Sequence, residues 1–274
     1  MAASLRKALI SWQWQNCLRS RQVAKKCVQN QISAFSSCSS LHVEVQLQGV
    51  PQNLVEAKGE TQTQLDIALQ HKDYFGLKHL VTLRDLFNAR VHYGHNAGLR
   101  HESMTPYIYG CRQGTDIIDL EQTLSLLEQA LNVCAHIVYR GGMVLFVCRN
   151  LQFLPWVEKT VRELGEYAHC RPWKRGIFTN AANIFNTLPI YPELCIFLGT
   201  QDTVFETHRA VVESNKLLIP SIGILDTNTD CASLITYPIP GNDDSPESLA
   251  LYLHLFKTAI LKAKEKRKQD GIVS

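Results

Sequence analysis

Met143–Cys148 reads MVLFVC, and Leu194–Gly199 reads LCIFLG. A strand with one wet face alternates apolar and polar residues, so an unbroken apolar run of this length marks a strand buried on both faces of a parallel sheet. Upstream of the first run, TDIIDL predicts a strand running into a helix. Asp119 can cap that helix, Gln122 sits at its third position, Leu124, Leu127, Leu131 and Val138 recur at helical spacing, and Gly141 and Gly142 stop it. Downstream, Pro155 suits the first turn of a helix carrying Trp156, Val157, Val161 and Leu164. LCIFLG is followed by TVFE, in which Thr203 and Glu206 have capping-box spacing for a third helix. LLIPSIGIL and LITYPI are further strand candidates. A last helix starts at Ser245, Pro246 and Glu247 and repeats Leu249, Tyr252, Leu253, Phe256, Ile260 and Ala263 on one face. Strands alternating with helices in this way predict an α/β fold, a central parallel sheet covered by helices on both sides.

At 274 residues one main α/β domain with extensions is the expected organisation. The charge is unevenly placed. Residues 1–43 hold Arg6, Lys7, Arg19, Arg21, Lys25 and Lys26 and no acid; without these six, 22 of the 28 basic residues face all 25 acidic ones. The same segment is rich in Ser and Ala, ends in SAFSSCSSLH, and lacks the continuous apolar stretch of a secretory signal. It reads as a mitochondrial transit peptide over 1–42. Residues 43–82 form an N-terminal extension, Gln-rich and weakly periodic up to Lys72. In DYFGLKHLVTLRDLFNARVHYGH, Leu83, Leu86, Phe87 and Val91 share a helical face. The core is expected over 83–256, followed at 257–274 by a basic helix end and tail containing KAKEKRKQ, whose cations are a secondary candidate for phosphate contact. No run of 18 apolar residues is present, so no membrane partner is expected. Cys17, Cys27 and Cys38 lie in the leader; Cys111, Cys134, Cys148, Cys170, Cys195 and Cys231 form no CxxC pair, and several sit in apolar runs where a thiol acts as a small hydrophobe.

The loops beyond the strands are poor in catalytic grammar: GxGxxG and Walker A sequences are both absent. GTQDT is placed for anion binding at a helix amino terminus, although turn and cap chemistry explains it equally. Asp226, Asp230, Asp243 and Asp244 offer carboxylates for magnesium or acid–base work. Asp243 and Asp244, however, directly precede a helix, where caps and the helix dipole favour negative charge. In HYGHNAGLRH, His92 and His95 stand three apart, and His101 could join them as a third zinc ligand. No carboxylate or thiolate near in sequence completes that pattern, so no metal and no other cofactor is expected. As a nucleic-acid surface the stretch makes sense: Arg90, Arg100 and His101 pair with phosphates, Asn96 donates, and Tyr93 stacks.

VHYGH, MTPYIYGCRQGTDIIDLEQT, MVLFV, RPWKRGIFTN, LPIYPELCIFLGT, IPSIGILDTNTD and PIPGNDDS, in that order, resemble the ribosomal protein S2 family of the small ribosomal subunit. The resemblance runs from about Leu83 to Arg267, and the acid-free leader and DYFGLKHL make the chain similar to mitochondrial members. It implies a flavodoxin-like three-layer α/β/α core, a place between head and body of the small subunit, and no catalysis. The implied partners are small-subunit rRNA and other small-subunit ribosomal proteins, with no small-molecule substrate. Bacterial members carry a long helical hairpin where only AANIFNT separates Asn180 from Leu188 here, and Arg175 stands where the family usually has Gly. The candidates for RNA or neighbour contact are Arg90, His92, Tyr93, His95, Asn96, Arg100, Lys174, Arg175, Thr179 and Asn180. The near-neutral to acidic remainder of the chain implies that protein neighbours share the binding, because a purely RNA-driven binder carries a strong basic excess. The alternative is a matrix α/β enzyme that binds a nucleotide or phosphate at GTQDT with Asp226 or Asp243.

Overall fold

The computed structural model describes residues 67–271 apart from 72, 188, 204 and 205. The leader at 1–42 and the extension as far as residue 66 lie outside the described residues. In the described part, a five-stranded sheet holds β4 (Val144–Val147), β5 (Tyr167–His169), β6 (Leu194–Phe197), β9 (Ser221–Leu225) and β10 (Tyr237–Pro240). They lie in the order β10-β9-β6-β4-β5, every pair parallel. The order reverses between β4 and β6, because β5 is laid on the outer edge of β4 before the chain returns for β6.

The unbroken apolar runs are two-sided as expected. Val144 and Phe146 of β4, Leu194 and Ile196 of β6, Ile222 and Ile224 of β9 and Ile239 of β10 enter one buried cluster. The residues of opposite parity, Val147, Cys195, Phe197 and Leu225, enter a second cluster on the other face. Three long helices cover the first face: α2 (Leu120–Arg140), α3 (Leu154–Leu164) and α6 (Pro246–Gln269). Asp119 caps α2 by accepting from the Glu121 amide at 3.0 Å while the Gln122 side-chain amide donates back to it, and Gly141 ends the helix with φ 88°, a left-handed conformation that glycine adopts at no steric cost. Pro155 lies in the first turn of α3. Ahead of the core, Phe75, Leu77 and Val81 bury in the helix-covered cluster. The Tyr74 and Tyr139 hydroxyls both donate to Asp270, at 2.9 and 2.6 Å, tying this lead-in to α2 and to the end of α6.

The second face has a thinner roof, made of α5 (Arg209–Lys216), the 3₁₀ segment Glu102–Tyr107, and the loop that carries Trp173 and Phe178. A small antiparallel sheet, ordered β1-β3-β2, is built from β1 (Tyr93–Asn96), β2 (Ile108–Arg112) and β3 (Thr115–Ile118).

His92 precedes β1 and His95 lies in it, so their spacing of three sends them to opposite sides. Three expectations are corrected. In α1 (Leu83–Asn88) only Leu86 is buried; Leu83 and Phe87 are exposed, and Val91 is buried after the helix has ended. Thr203 and Glu206 do not cap a helix. They pair across a hairpin of β7 (Gln201–Thr203) and β8 (Glu206–Thr207), and α5 starts later, capped by His208. Asp243 and Asp244 do not cap α6 either: Asn242 Oδ1 accepts from the Asp244 and Ser245 amides, freeing both carboxylates for other partners.

Candidate functional site

Two exposed segments carry the residues picked from sequence, and the structure treats those residues unequally. Arg90 is exposed, with φ 58°, and its guanidinium meets Glu247 at 3.2 Å across open surface. Tyr93 and Asn96 are exposed. His92 is buried, stacked on Phe87 at 4.6 Å with ring planes 4° apart, and burial lowers its pKa, so it is a packing residue. Arg100 places Nε 2.8 Å from Asp116 Oδ2 and its Nη2 on Asp116 Oδ1, a bidentate pair that neutralises a fully buried carboxylate. Its guanidinium holds Asp116 below the usual carboxylate range. Arg100 therefore anchors β3, and its fork is largely spent within the chain.

In the second segment Trp173 and Phe178 point inward, at 4.9 Å edge to face, leaving Lys174, Arg175, Thr179 and Asn180 outside. Glu213 of α5 reaches under the turn and accepts from the Gly176 and Phe178 amides at 2.7 and 3.0 Å. A buried carboxylate with two amide donors is a strong local staple, and it presents Lys174 and Arg175 on a fixed loop. Nothing in the sequence announces Glu213, which reads there as an ordinary helix-surface residue. Beside this loop lies an apolar hollow of about 330 Å³ lined by Tyr167, Ile177, Phe185, Ile190 and Tyr191, with Ile190 83% exposed. The hollow adjoins α4 (Ala181–Phe185), the short helix that occupies the AANIFNT stretch.

The basic helix end contributes less than its composition suggests. Lys257 pairs with Glu163 at 2.7 Å, Lys264 with Glu166 at 2.5 Å, Lys262 donates to the Gly76 carbonyl at 2.9 Å, and Lys266 lies over the Tyr74 ring. These cations hold α3 and the lead-in against α6.

Beyond the carboxyl ends of β4, β6, β9 and β10, at the reversal of strand order, a cleft of about 250 Å³ is lined by His95, Arg149, Asn150, Gln201, Asp202, Asn228, Asp243 and Asp244, among others. The His95 ring stands between two acids, Nδ1 3.1 Å from Asp226 and Nε2 3.3 Å from Asp244, and these pairings push its pKa up to about 10. Asp226 is buried, while Asp244 is open to solvent and held below the usual carboxylate range by His95. Burial, with Asp226 and Asp244 nearby, raises Asp243 well above that range. The sole arginine of the lining, Arg149, pairs with Asp202 at 2.5 Å. The one arginine of the lining is already engaged by Asp202, and the hairpin at GTQDT removes the helix terminus expected to hold a nucleotide phosphate.

Comparison with known proteins matches residues 86–203 and 192–263 to the family model described as ribosomal protein S2. The small ribosomal subunit protein uS2m of Bos taurus is 53% identical over 201 residues, 73% of this chain and 68% of that protein. The chain belongs to the ribosomal protein S2 family. Bacterial uS2 proteins are also similar: that of Rhizobium rhizogenes is 33% identical over 218 residues, 66% of this chain and 85% of that protein, and that of Granulibacter bethesdensis 31% identical over 218 residues. S2 proteins are ribosomal constituents and not enzymes, which sets aside the enzyme reading. The S2 match spans both exposed segments and the acid cleft.

Proposed function

We propose that this S2 chain is a structural constituent of the mitochondrial small ribosomal subunit, seated between head and body, where it binds rRNA and neighbouring ribosomal proteins and so supports mitochondrial translation. The observation that carries the reading is the 53% identity to the bovine mitochondrial small-subunit protein across nearly three quarters of this chain. The strand order, with its reversal between β4 and β6 and helices on either side, agrees with a flavodoxin-like three-layer core. The bacterial alignments run over 218 positions although 66% of 274 residues supplies far fewer, so they hold a gap of several tens of residues in this chain. That gap is what a missing helical hairpin at AANIFNT would leave. The exposed apolar hollow beside α4 suits a protein neighbour in its place, and the exposed Arg90, Lys174 and Arg175 suit phosphates.

The first experiment is sedimentation of the tagged chain from a mitochondrial lysate at moderate salt, with fractions probed for small-subunit rRNA. Comigration that persists after magnesium chelation separates the subunits is the expected result; a chain left at the top of the gradient refutes the reading. Replacing Arg90, Lys174 and Arg175 with Ala tests the surface. Incorporation weakens, and the plot of log affinity against log salt becomes shallower by roughly 0.7–0.9 for each phosphate that is no longer neutralised. Arg100 is left in place, because its removal would orphan buried Asp116.

A further inference from the structure

We infer that the free edge of β5, with the apolar hollow beside it, receives an extended apolar segment of a neighbouring small-subunit protein, added to the main sheet as a further strand. The inference rests on the ribosomal reading above. Among the described residues no strand lies beyond β5 in the order β10-β9-β6-β4-β5. The register pairs Phe146 with Ala168 and Val147 with His169, and the Cys148 amide donates to the His169 carbonyl at 3.4 Å. Alternate residues of an edge strand bond inward in a parallel ladder, so His169 faces β4 and Ala168 turns its amide and carbonyl outward. Ala168 is exposed, and among the described residues no turn or loop takes up its outward groups. An edge left in this state is a template for another chain.

The hollow continues this edge onto the loop-covered face. Leu145 of β4 and Tyr167 of β5, partners in the register, line it from the strands, and Ile177, Phe185, Ile190 and Tyr191 line it from the chain between β5 and β6. Tyr167 is 60% exposed, Phe185 55% and Ile190 83%. Side chains alternate between the two faces of a strand, so a segment paired with Ala168 sends every second side chain into the hollow. The chemistry of the lining chooses the occupant. None of its residues is charged, so it offers nothing to the phosphates of RNA. A three-residue edge gives only a few main-chain bonds, too little to hold two free copies of this chain together. A neighbour already fixed in the same particle meets the edge at high effective concentration and needs no more. The bacterial relatives carry several tens of residues without a counterpart here, so cover that those chains are able to supply themselves comes in this protein from another chain.

The test uses the full-length chain with photoreactive benzoylphenylalanine in place of Phe185, assembled in mitochondria. Small subunits that contain it are isolated and irradiated, the adduct is sequenced by mass spectrometry, and amide exchange over 167–170 is compared between particle and free chain. The expected adduct joins an apolar peptide of another small-subunit protein, and exchange at Ala168 slows by roughly tenfold or more on assembly. Ile190→Asp and Ala168→Pro abolish the adduct, whereas Leu218→Asp, at a comparably exposed apolar residue outside the hollow, leaves it. Proline lacks only the outward amide and spares the bonds to β4, so this variant keeps the fold, as circular dichroism of the free chain would confirm. If particles containing the chain give no adduct, an adduct to rRNA or to a second copy, or unslowed exchange at Ala168, strand addition is overturned and the ribosomal function stands. A chain that never enters the particle overturns both.

Discussion

On one face of the main sheet lie three helices of 21, 11 and 24 residues; on the other lies a single helix of eight, helped by a 3₁₀ segment and a loop. The helix-covered face is closed mainly by apolar side chains, among them Phe146 against Phe256 at 6.3 Å, edge to face, with polar ties such as the Thr123 hydroxyl donating to the Pro240 carbonyl at 2.8 Å. The loop-covered face is closed by polar stitching: Glu213 under the 171–180 turn, Ser103 Oγ donating to the Thr229 carbonyl at 3.0 Å, and His208 capping α5. Packing of the first kind resists unfolding through buried area. The second kind fixes irregular backbone in one conformation, and that is the face on which Lys174 and Arg175 are displayed.

The sharpest contrast comes from truncating each roof. Phe256→Ala empties a fully buried position in α6 and should cost about 3–5 kcal/mol, read from the urea midpoint, with the whole chain losing stability together. Glu213→Ala leaves two buried amide donors without an acceptor and should cost about 1–3 kcal/mol. Its signature is local: faster protease cleavage and hydrogen exchange in 171–180 while α2 stays protected, with Glu213→Gln, which can accept from only one of the two amides, restoring only part of the order. Equal global losses for the two variants would erase the distinction between the faces.

A milder probe is pH. Burial holds His208 below its ordinary 6.5, and its Nδ1 accepts from the Ala210 amide at 3.2 Å, a role that requires this nitrogen unprotonated. The folded state thus binds the proton less readily than the unfolded chain. The associated stability is present above 6.5 and is lost as the pH falls below that value. Exchange protection of α5 should drop between pH 7 and pH 5 by more than that of α2; parallel behaviour would break the comparison. Smallest in stability is Lys174→Ala with Arg175→Ala, which should shift the midpoint by no more than about 0.5 kcal/mol while reducing small-subunit comigration.

The same contrast governs what the sequence discloses. Helical repeats such as Leu127, Leu131 and Val138, and unbroken runs such as MVLFVC, report burial through local periodicity, so the sheet and its helix-covered face can be read directly. The loop-covered face depends on pairings distant in sequence. Thr203 and Glu206 imitate a capping box but close a hairpin, because backbone pairing of β7 with β8 outcompetes the cap. Asp243 and Asp244 imitate helix-start acids because nothing nearby in sequence reveals that folding delivers His95 to them. Of the chosen surface residues, Arg90, Tyr93, Asn96, Lys174, Arg175, Thr179 and Asn180 are exposed, whereas His92 and Arg100 are committed to the fold, since spacing does not tell an arginine facing solvent from one facing a buried aspartate.

The clasp of Tyr74 and Tyr139 on Asp270 also sets an order of events. A chain delivered amino end first, whether from a ribosome or through a membrane pore, brings Tyr74 and α2 into a new compartment long before α6 follows. Until α6 emerges, Tyr139 lacks its acceptor and one face of the sheet lacks a helix of its roof, so contacts that span almost the whole described chain must wait. Completion of the fold is thereby timed to the arrival of its last helix.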